Sequence, residues 1–184
     1  MTNSLEPKRW ELLHKMAPNA KSIAVLINPA NPQNEVQVSA LREVARATRL
    51  DLVTVKASNA RELESSFASM AEHKVDALTV LSDVFFTSNS SQIAALSARH
   101  RLPAIAHSRE FAVAGGLMSY GTNLTDAYRW TGIYAGRILK GEKPAELPVI
   151  EPTRFDFLIN LKTARSLGLT VPPILLATAD EVVE

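Results

Sequence analysis

The chain has 184 residues, 46% of them hydrophobic and 21% charged, and its 20 Lys and Arg against 19 Asp and Glu leave a formal net charge of +1. These proportions belong to a soluble globular domain and exclude a disordered, collagen-like or low-complexity chain. They also disfavour a nucleic-acid binder, which carries a basic excess or stripe, whereas the largest basic clusters here are pairs such as Lys8-Arg9.

The opening Met1-Thr-Asn-Ser-Leu-Glu6 has neither a basic n-region nor an apolar h-region, so no secretion signal is expected in the chain as given. For this chain alone that points to the cytoplasm. Ser22-Ile-Ala-Val-Leu-Ile-Asn28 is a short apolar run closed by the turn cluster Pro29-Ala-Asn-Pro32, which predicts a buried strand and a loop. Val38, Leu41, Ala45 and Thr48 share one face of a helix over 33–49. A second strand follows at Asp51–Lys56. Ser58-Asn59 then opens a helix through Lys74, with Leu63, Phe67 and Met70 at i, i+4 and i+7.

Asp76–Leu81 reads as a third strand ending in the loop Ser82–Phe86, and a helix is expected around 88–100. Pro103–Ala106 is a short fourth strand, Ser108–Ala112 starts a helical turn, Gly115-Gly116 breaks it, and Leu117–Tyr120 is a fifth strand. Strands alternating with helices predict a parallel α/β sheet with right-handed crossovers, in a three-layer Rossmann-like arrangement. Beyond it lie a helix over Asn123–Lys140 closed by Gly141, a linker holding Pro144, Pro148 and Pro152, and a sixth strand at Arg154–Asn160. A short helix over Lys162–Leu167 and the tail at Val171–Leu176 complete the chain.

Catalytic and cofactor motifs fail one after another. Zero cysteines exclude disulfides, zinc–thiolate sites, iron–sulfur clusters and thiol nucleophiles. No G-x-G-x-x-G follows the first strand, and the glycine spacing of Gly116 to Gly121 puts Thr122 where a P-loop needs lysine. A phospho-receiver needs an acidic pair after the first strand, where this chain has Asn28-Pro29. The histidines stand singly, none in metal-ligand spacing. His107 adjoins Ser108, but no G-x-S-x-G elbow supports a hydrolase. No cofactor, metal or catalytic residue is expected, and binding is the function class left.

Several segments in their order carry a resemblance. Lys8-Arg-Trp-Glu-Leu-Leu and Ile23-Ala-Val-Leu-Ile-Asn-Pro-Ala-Asn-Pro32 are followed by Leu102-Pro-Ala-Ile and Arg109-Glu-Phe-Ala-Val-Ala-Gly-Gly-Leu-Met-Ser-Tyr-Gly121. Ile138-Leu-Lys-Gly-Glu-Lys-Pro and Phe157-Leu-Ile-Asn-Leu-Lys-Thr-Ala-Arg-Ser-Leu-Gly come last. Together they resemble the ABC-transporter substrate-binding protein family that includes tryptophan/tyrosine-type uptake receptors, over nearly the whole chain. The resemblance implies one lobe, the second, of a type I periplasmic binding protein fold, in which two Rossmann-like lobes close on a ligand. It implies a single lobe over 1–184, with a core of about 17–121. Residues 123–140 form a helix that crosses to the other lobe in relatives, and 154–184 supply a returning strand, helix and tail. It implies a non-catalytic solute-binding component, an ABC permease as partner in the intact protein and a periplasmic location. The alternative from a different class is the effector-sensing domain of a transcription regulator.

Ligands of open α/β sheets bind beyond the carboxyl ends of the strands. The resemblance maps that half-cleft onto Asn28, Asn31, Asp83, Phe85, Arg109, Glu110, Tyr120 and Asn123. For an amino-acid-like ligand, Asp83 or Glu110 pairs with an ammonium and Phe85 or Tyr120 stacks on an apolar group. Against this, Arg109 and Glu110 also read as a solvated pair and Phe85-Phe86 as a cap on the core. The 123–140 helix is apolar on two sides, so homo-oligomerisation through it is expected, with Trp130 and Tyr134 as the exposed patch.

Overall fold

The computed structural model describes residues 5–184. Its elements are α1 (Glu6–Met16), β1 (Ser22–Ile27), α2 (Asn34–Thr48), β2 (Asp51–Lys56), α3 (Ala60–Glu72), β3 (Ala77–Val80), α4 (Val84–Ser88) and α5 (Ser90–Arg99). There follow β4 (Ala104–Ala106), α6 (Arg109–Val113), β5 (Met118–Thr122), α7 (Leu124–Leu139), β6 (Phe155–Asn160), α8 (Leu161–Ser166), α9 (Pro173–Thr178) and β7 (Glu181–Val183). The strands form one sheet in the order β2-β1-β3-β4-β5-β6-β7. The first five pair in parallel, as the alternation of strands and helices predicts. β6 then runs antiparallel to β5, and β7 pairs parallel to β6.

Helices on both faces make the sheet the middle of three layers. Along β1, Ile23, Val25 and Ile27 enter one core while Ala24 and Leu26 enter the other. A strand covered on both sides has no polar face, which is why β1 is an unbroken apolar run. The first core takes Trp10 and Leu13 of α1, Leu41 of α2 and Leu175 of α9. The second takes Leu63 and Phe67 of α3, Ile93 of α5 and Phe111 of α6.

Packing begins well before residue 17. Pro7 stands in the first turn of α1, Glu6 lies at its positive end and His14 and Lys15 at its negative end. Trp10, Leu13 and Met16 are buried in the core. This helix escapes a periodicity reading because its buried face also holds two charges, Glu6 and Arg9. At the other end, Phe157, Leu158 and Ile159 of β6 are core residues too, so the core exceeds the 17–121 span on both sides.

α7 stands apart, with no buried residue along its length. The segment returning to β6 lies against one side of it. The Tyr134 hydroxyl donates to the Pro148 carbonyl at 2.5 Å, and Trp130 meets Tyr134 edge-on with ring centroids 6.4 Å apart. Trp130, Tyr134, Ile150 and Pro152 border a small cavity of about 190 Å³ between helix and segment. The Trp130–Tyr134 side is therefore partly covered, with Tyr134 half-buried and Trp130 still exposed as expected. The open side is the one carrying Leu124, Tyr128 and Leu139.

Candidate functional site

At the carboxyl edge of the parallel strands, the loop after β1 and the loop after β3 are joined through one carboxylate. Asn28 Nδ2 donates to Asp83 Oδ1 at 3.0 Å, and Asn31 Nδ2 donates to Asp83 Oδ2 at 2.8 Å and to the Ser82 carbonyl at 3.1 Å. The backbone N–H of Phe85 also donates to Asp83 Oδ1, at 2.8 Å, so Asp83 caps α4. Each asparagine is fixed from its other end: Asn28 Oδ1 accepts from Ala30 N at 3.1 Å and Asn31 Oδ1 from Gln33 N at 2.9 Å. These are Asx turns, which the Asn-Pro-Ala-Asn-Pro sequence favours. A carboxylate oxygen has two lone pairs. Among the described residues Oδ1 uses both, and Oδ2 uses one on Asn31.

Asn28, Asn31, Asp83 and Phe85 line one concavity of about 520 Å³ with Val84, Thr87 and His107. The two phenylalanines divide their roles. Phe86 is buried in the second core, and Phe85 is half-buried against the same core while also bordering this concavity.

His107 sits at the floor. Thr87 Oγ1 lies 3.0 Å from His107 Nε2 and donates its own proton to the Asp83 carbonyl at 3.0 Å. The Thr87 hydroxyl thus ties the ring to the Asp83 carbonyl. Nδ1 is buried and has no hydrogen-bond partner among the described residues. Burial first, and the Arg9 guanidinium second, push the His107 pKa from 6.5 down to about 4. The ring is neutral at physiological pH.

A larger cavity of about 600 Å³ shares Ser82, Thr87 and His107 with the first and runs on toward α1 and the start of α7. Arg9 forms part of its wall although it is almost wholly buried. Its Nε and one terminal nitrogen hold the Glu6 carboxylate, the other terminal nitrogen donates to the Tyr120 carbonyl at 2.9 Å, and Nη2 reaches Ser82 Oγ at 3.2 Å. This buried pair pins the first turn of α1 to the ends of β3 and β5. Close approach requires Gly121 here, since a Cβ on it would lie 1.9 Å from the His107 carbonyl oxygen.

The other expected residues are spread more widely. Arg109 and Glu110 border the larger cavity and are exposed. Arg109 makes a bidentate pair, not with Glu110 but with Glu181 of β7, at 2.6 and 3.2 Å. Tyr120 packs half-buried on the first core beside Phe155 and Phe157, and lines neither cavity. Asn123 caps α7 by accepting from Asp126 N at 2.7 Å, and its amide donates to Asp156 at 2.8 and 3.0 Å, so it forms the junction between α7 and β6. Thr87, His107, Ser82 and Arg9 belong to the site without having been singled out for it. The strand-end rule points at Ser82 and His107, whereas Arg9 has no signal once α1 is overlooked. Fixed amides, a carboxylate and a phenyl wall around a neutral imidazole make a face suited to holding a small polar molecule. No group of three or more His, Asp or Glu among the described residues is placed to hold a metal.

The chain is similar to known proteins over nearly its whole length. A family model described as ABC transporter substrate binding protein matches residues 3–183. A tyrosine-binding protein of Clostridioides difficile strain R20291 is 24% identical over 162 residues, which is 88% of this chain and 47% of that protein. An ABC domain from Streptococcus pneumoniae, crystallised in complex with L-Trp, superposes with a TM-score of 0.86 at 28% identity, covering 97% of this chain and 60% of that one. The ligand-free, open structure of a substrate-binding protein with adhesive properties from Clostridium difficile gives 0.71 at 28% identity, over 96% of this chain and 59% of that one. The chain therefore spans about half the length of the curated relative and about 60% of the solved ones.

Proposed function

Because the chain belongs to the ABC transporter substrate-binding protein family, we propose that it is one lobe, the second, of a two-lobed solute receptor and offers a non-catalytic half-site for an amino-acid-like ligand. The observation that carries this reading is the Asp83 cluster: a carboxylate held rigid by Asn28 and Asn31, with a lone pair left on Oδ2, beside the ring of Phe85. A primary ammonium fits that acceptor and an apolar side chain fits the phenyl wall. The named ligands of two relatives, tyrosine and L-Trp, support the same chemical class. Arg109 and Glu110 stand at the rim, where each faces a zwitterion's charges at longer range. Tyr120 and Asn123 serve as supports for the half-cleft, through packing and through the α7 junction. Delivery to an ABC permease, action on the periplasmic side of the membrane and self-association through the 123–140 helix belong to the same reading.

Calorimetry tests it. One lobe buries only part of a ligand, while a complete small-molecule site buries most of it. L-Tyr and L-Trp should bind the chain with a Kd on the order of millimolar, about −4 kcal/mol, and Asp83→Ala should abolish the signal. A neutral sugar binding as well as the amino acids, or an unchanged affinity in Asp83→Ala, overturns the ligand class.

A further inference from the structure

Among the described residues, six helices end in the same way and differ in what fills the last step. In each, one residue takes a left-handed backbone, its amide bonds back to the carbonyl three positions earlier, and the next amide bonds to the carbonyl five positions before it. α6, α7 and α8 fill that step with Gly115, Gly141 and Gly168, which adopt it freely. α2, α3 and α5 fill it with Arg49, Lys74 and Arg101, at φ of 55°, 50° and 52°. A residue with a long side chain takes that backbone only with strain. The helix dipole does not require the choice. α2 and α5 already carry Arg46 and Arg99 in their last turns, and α7 and α8 meet the same dipole with Arg137 and Arg165 while keeping glycine.

The three strained cations lead into β2, β3 and β4. Lys21 leads into β1, which lies between β2 and β3, so four neighbouring strands each have a cation at the amino-terminal end. Strands lie about 4.8 Å apart, which makes a row on the order of 15 Å long. All four side chains are exposed, and none makes an ion pair or side-chain hydrogen bond among the described residues. Arg42 extends the row, sharing a shallow depression with Arg49 over Leu50 and Leu52. The acids here are Asp51, Glu72 and Asp76, and Asp76 accepts from the Lys21 and Ser22 amides at 2.8 and 2.9 Å. Glu43 and Glu64 are answered by Arg46 and Arg99. Two-lobed folds of this kind close on the carboxyl ends of the strands, so this opposite edge is not bared by any part of the relatives that the chain does not span.

We infer that the amino-terminal edge of the sheet is an electrostatic docking surface for an anionic lipid bilayer. A straight, exposed row of cations matches a plane of anionic headgroups. No Phe, Tyr or Trp stands in it to stack on bases, which counts against a nucleic acid. Each cation near such a surface contributes about a fivefold gain in binding, so the contact is weak, reversible and sensitive to salt. It goes beyond the proposed ligand site and does not rest on it.

Co-sedimentation of the full chain with vesicles tests it, comparing equal parts phosphatidylglycerol and phosphatidylcholine with phosphatidylcholine alone. At low ionic strength the chain should bind the anionic vesicles only, and added salt should release it. The triple variant Arg49→Gly, Lys74→Gly, Arg101→Gly removes three charges and gives each helix end the residue its backbone prefers. Its melting temperature should hold or rise while vesicle binding falls about a hundredfold. The single glycine variants should each lose about fivefold, and they decide the question if the triple variant melts early. A matched variant, Lys56→Gln with Arg61→Gln and Lys140→Gln, makes the same change in net charge at exposed positions outside the row and should bind within about threefold of the wild type. Equal binding to neutral vesicles, unchanged affinity in the glycine variants, an equal loss in the matched variant, or tighter binding to a DNA duplex than to anionic vesicles each overturns the inference. Calorimetry with L-Tyr and L-Trp should not distinguish the glycine variant from the wild type. Loss of vesicle binding with amino-acid binding intact therefore bears only on the row, and absence of amino-acid binding in both proteins bears only on the ligand reading.

Discussion

Protonating His107 should destabilise the fold in a pH window of its own. The ring is neutral in the folded protein, where its pKa lies near 4, and it titrates near 6.5 when unfolded. Between those values the unfolded chain binds a proton that the folded chain refuses, so stability falls as the pH is lowered from about 6.5 toward 4. From the two pKa values the loss attributable to this one group is about 2 kcal/mol between pH 7 and pH 5 and approaches about 3 kcal/mol at the acid end. Carboxylates whose pKa is lowered by hydrogen bonds, such as Asp76 at the Lys21 and Ser22 amides and Glu11 between Lys15 and Lys8, lose their contribution only further down, as the pH falls through ordinary carboxylate values. Urea titrations at pH 7, 6 and 5 on the wild-type chain and on His107→Gln separate the effects. The glutamine amide keeps a donor for Thr87 but has no proton to gain. The wild type should lose about 2 kcal/mol more than the variant across that range. Parallel profiles for the two proteins refute the neutral, buried imidazole.

The pair between Glu6 and Arg9 should be stabilising only as a pair. Arg9→Met removes the guanidinium from a buried carboxylate and from the Tyr120 carbonyl, and should cost about 3–5 kcal/mol in urea unfolding. Glu6→Gln combined with Arg9→Met should recover most of that, and a single-variant loss below about 1 kcal/mol would show that the pair is not holding α1. Gly121→Ala should lower the melting temperature and cost roughly 1–3 kcal/mol or more, since its methyl group must displace the His107 carbonyl at the end of β4. An unchanged melting temperature would mean that β4 and β5 have room to part there.

The parallel half of the fold is legible because helices on both faces force apolar strands, and punctuation such as Asn28-Pro29 and Gly115-Gly116 marks their ends. β7 is not, because three residues with a leading glutamate become a strand only by pairing with β6 at the edge. α1 is hidden by its own buried charges, which break the apolar stripe that a helix normally shows. Of the candidate site, the Asn28–Asn31–Asp83–Phe85 group is legible from strand ends alone, since parallel strands bring their terminal loops together. Tyr120 packs on the first core because side chains alternate along β5 and its own falls on the α1 side of the sheet. Arg109 finds Glu181 across a gap of 72 residues, a pairing that depends on β7 and so cannot be read from local sequence.

Residue-resolved NMR titration of the isotopically labelled chain with L-Tyr and L-Trp tests the solute-binding reading most directly. Amide and side-chain shifts should concentrate on Asn28, Asn31, Asp83, Phe85, Thr87 and His107, with saturation on the order of millimolar and none of those shifts in Asp83→Ala. Shifts centred on α7 or on the opposite, amino-terminal edge of the sheet, with the Asp83 cluster silent, would contradict it.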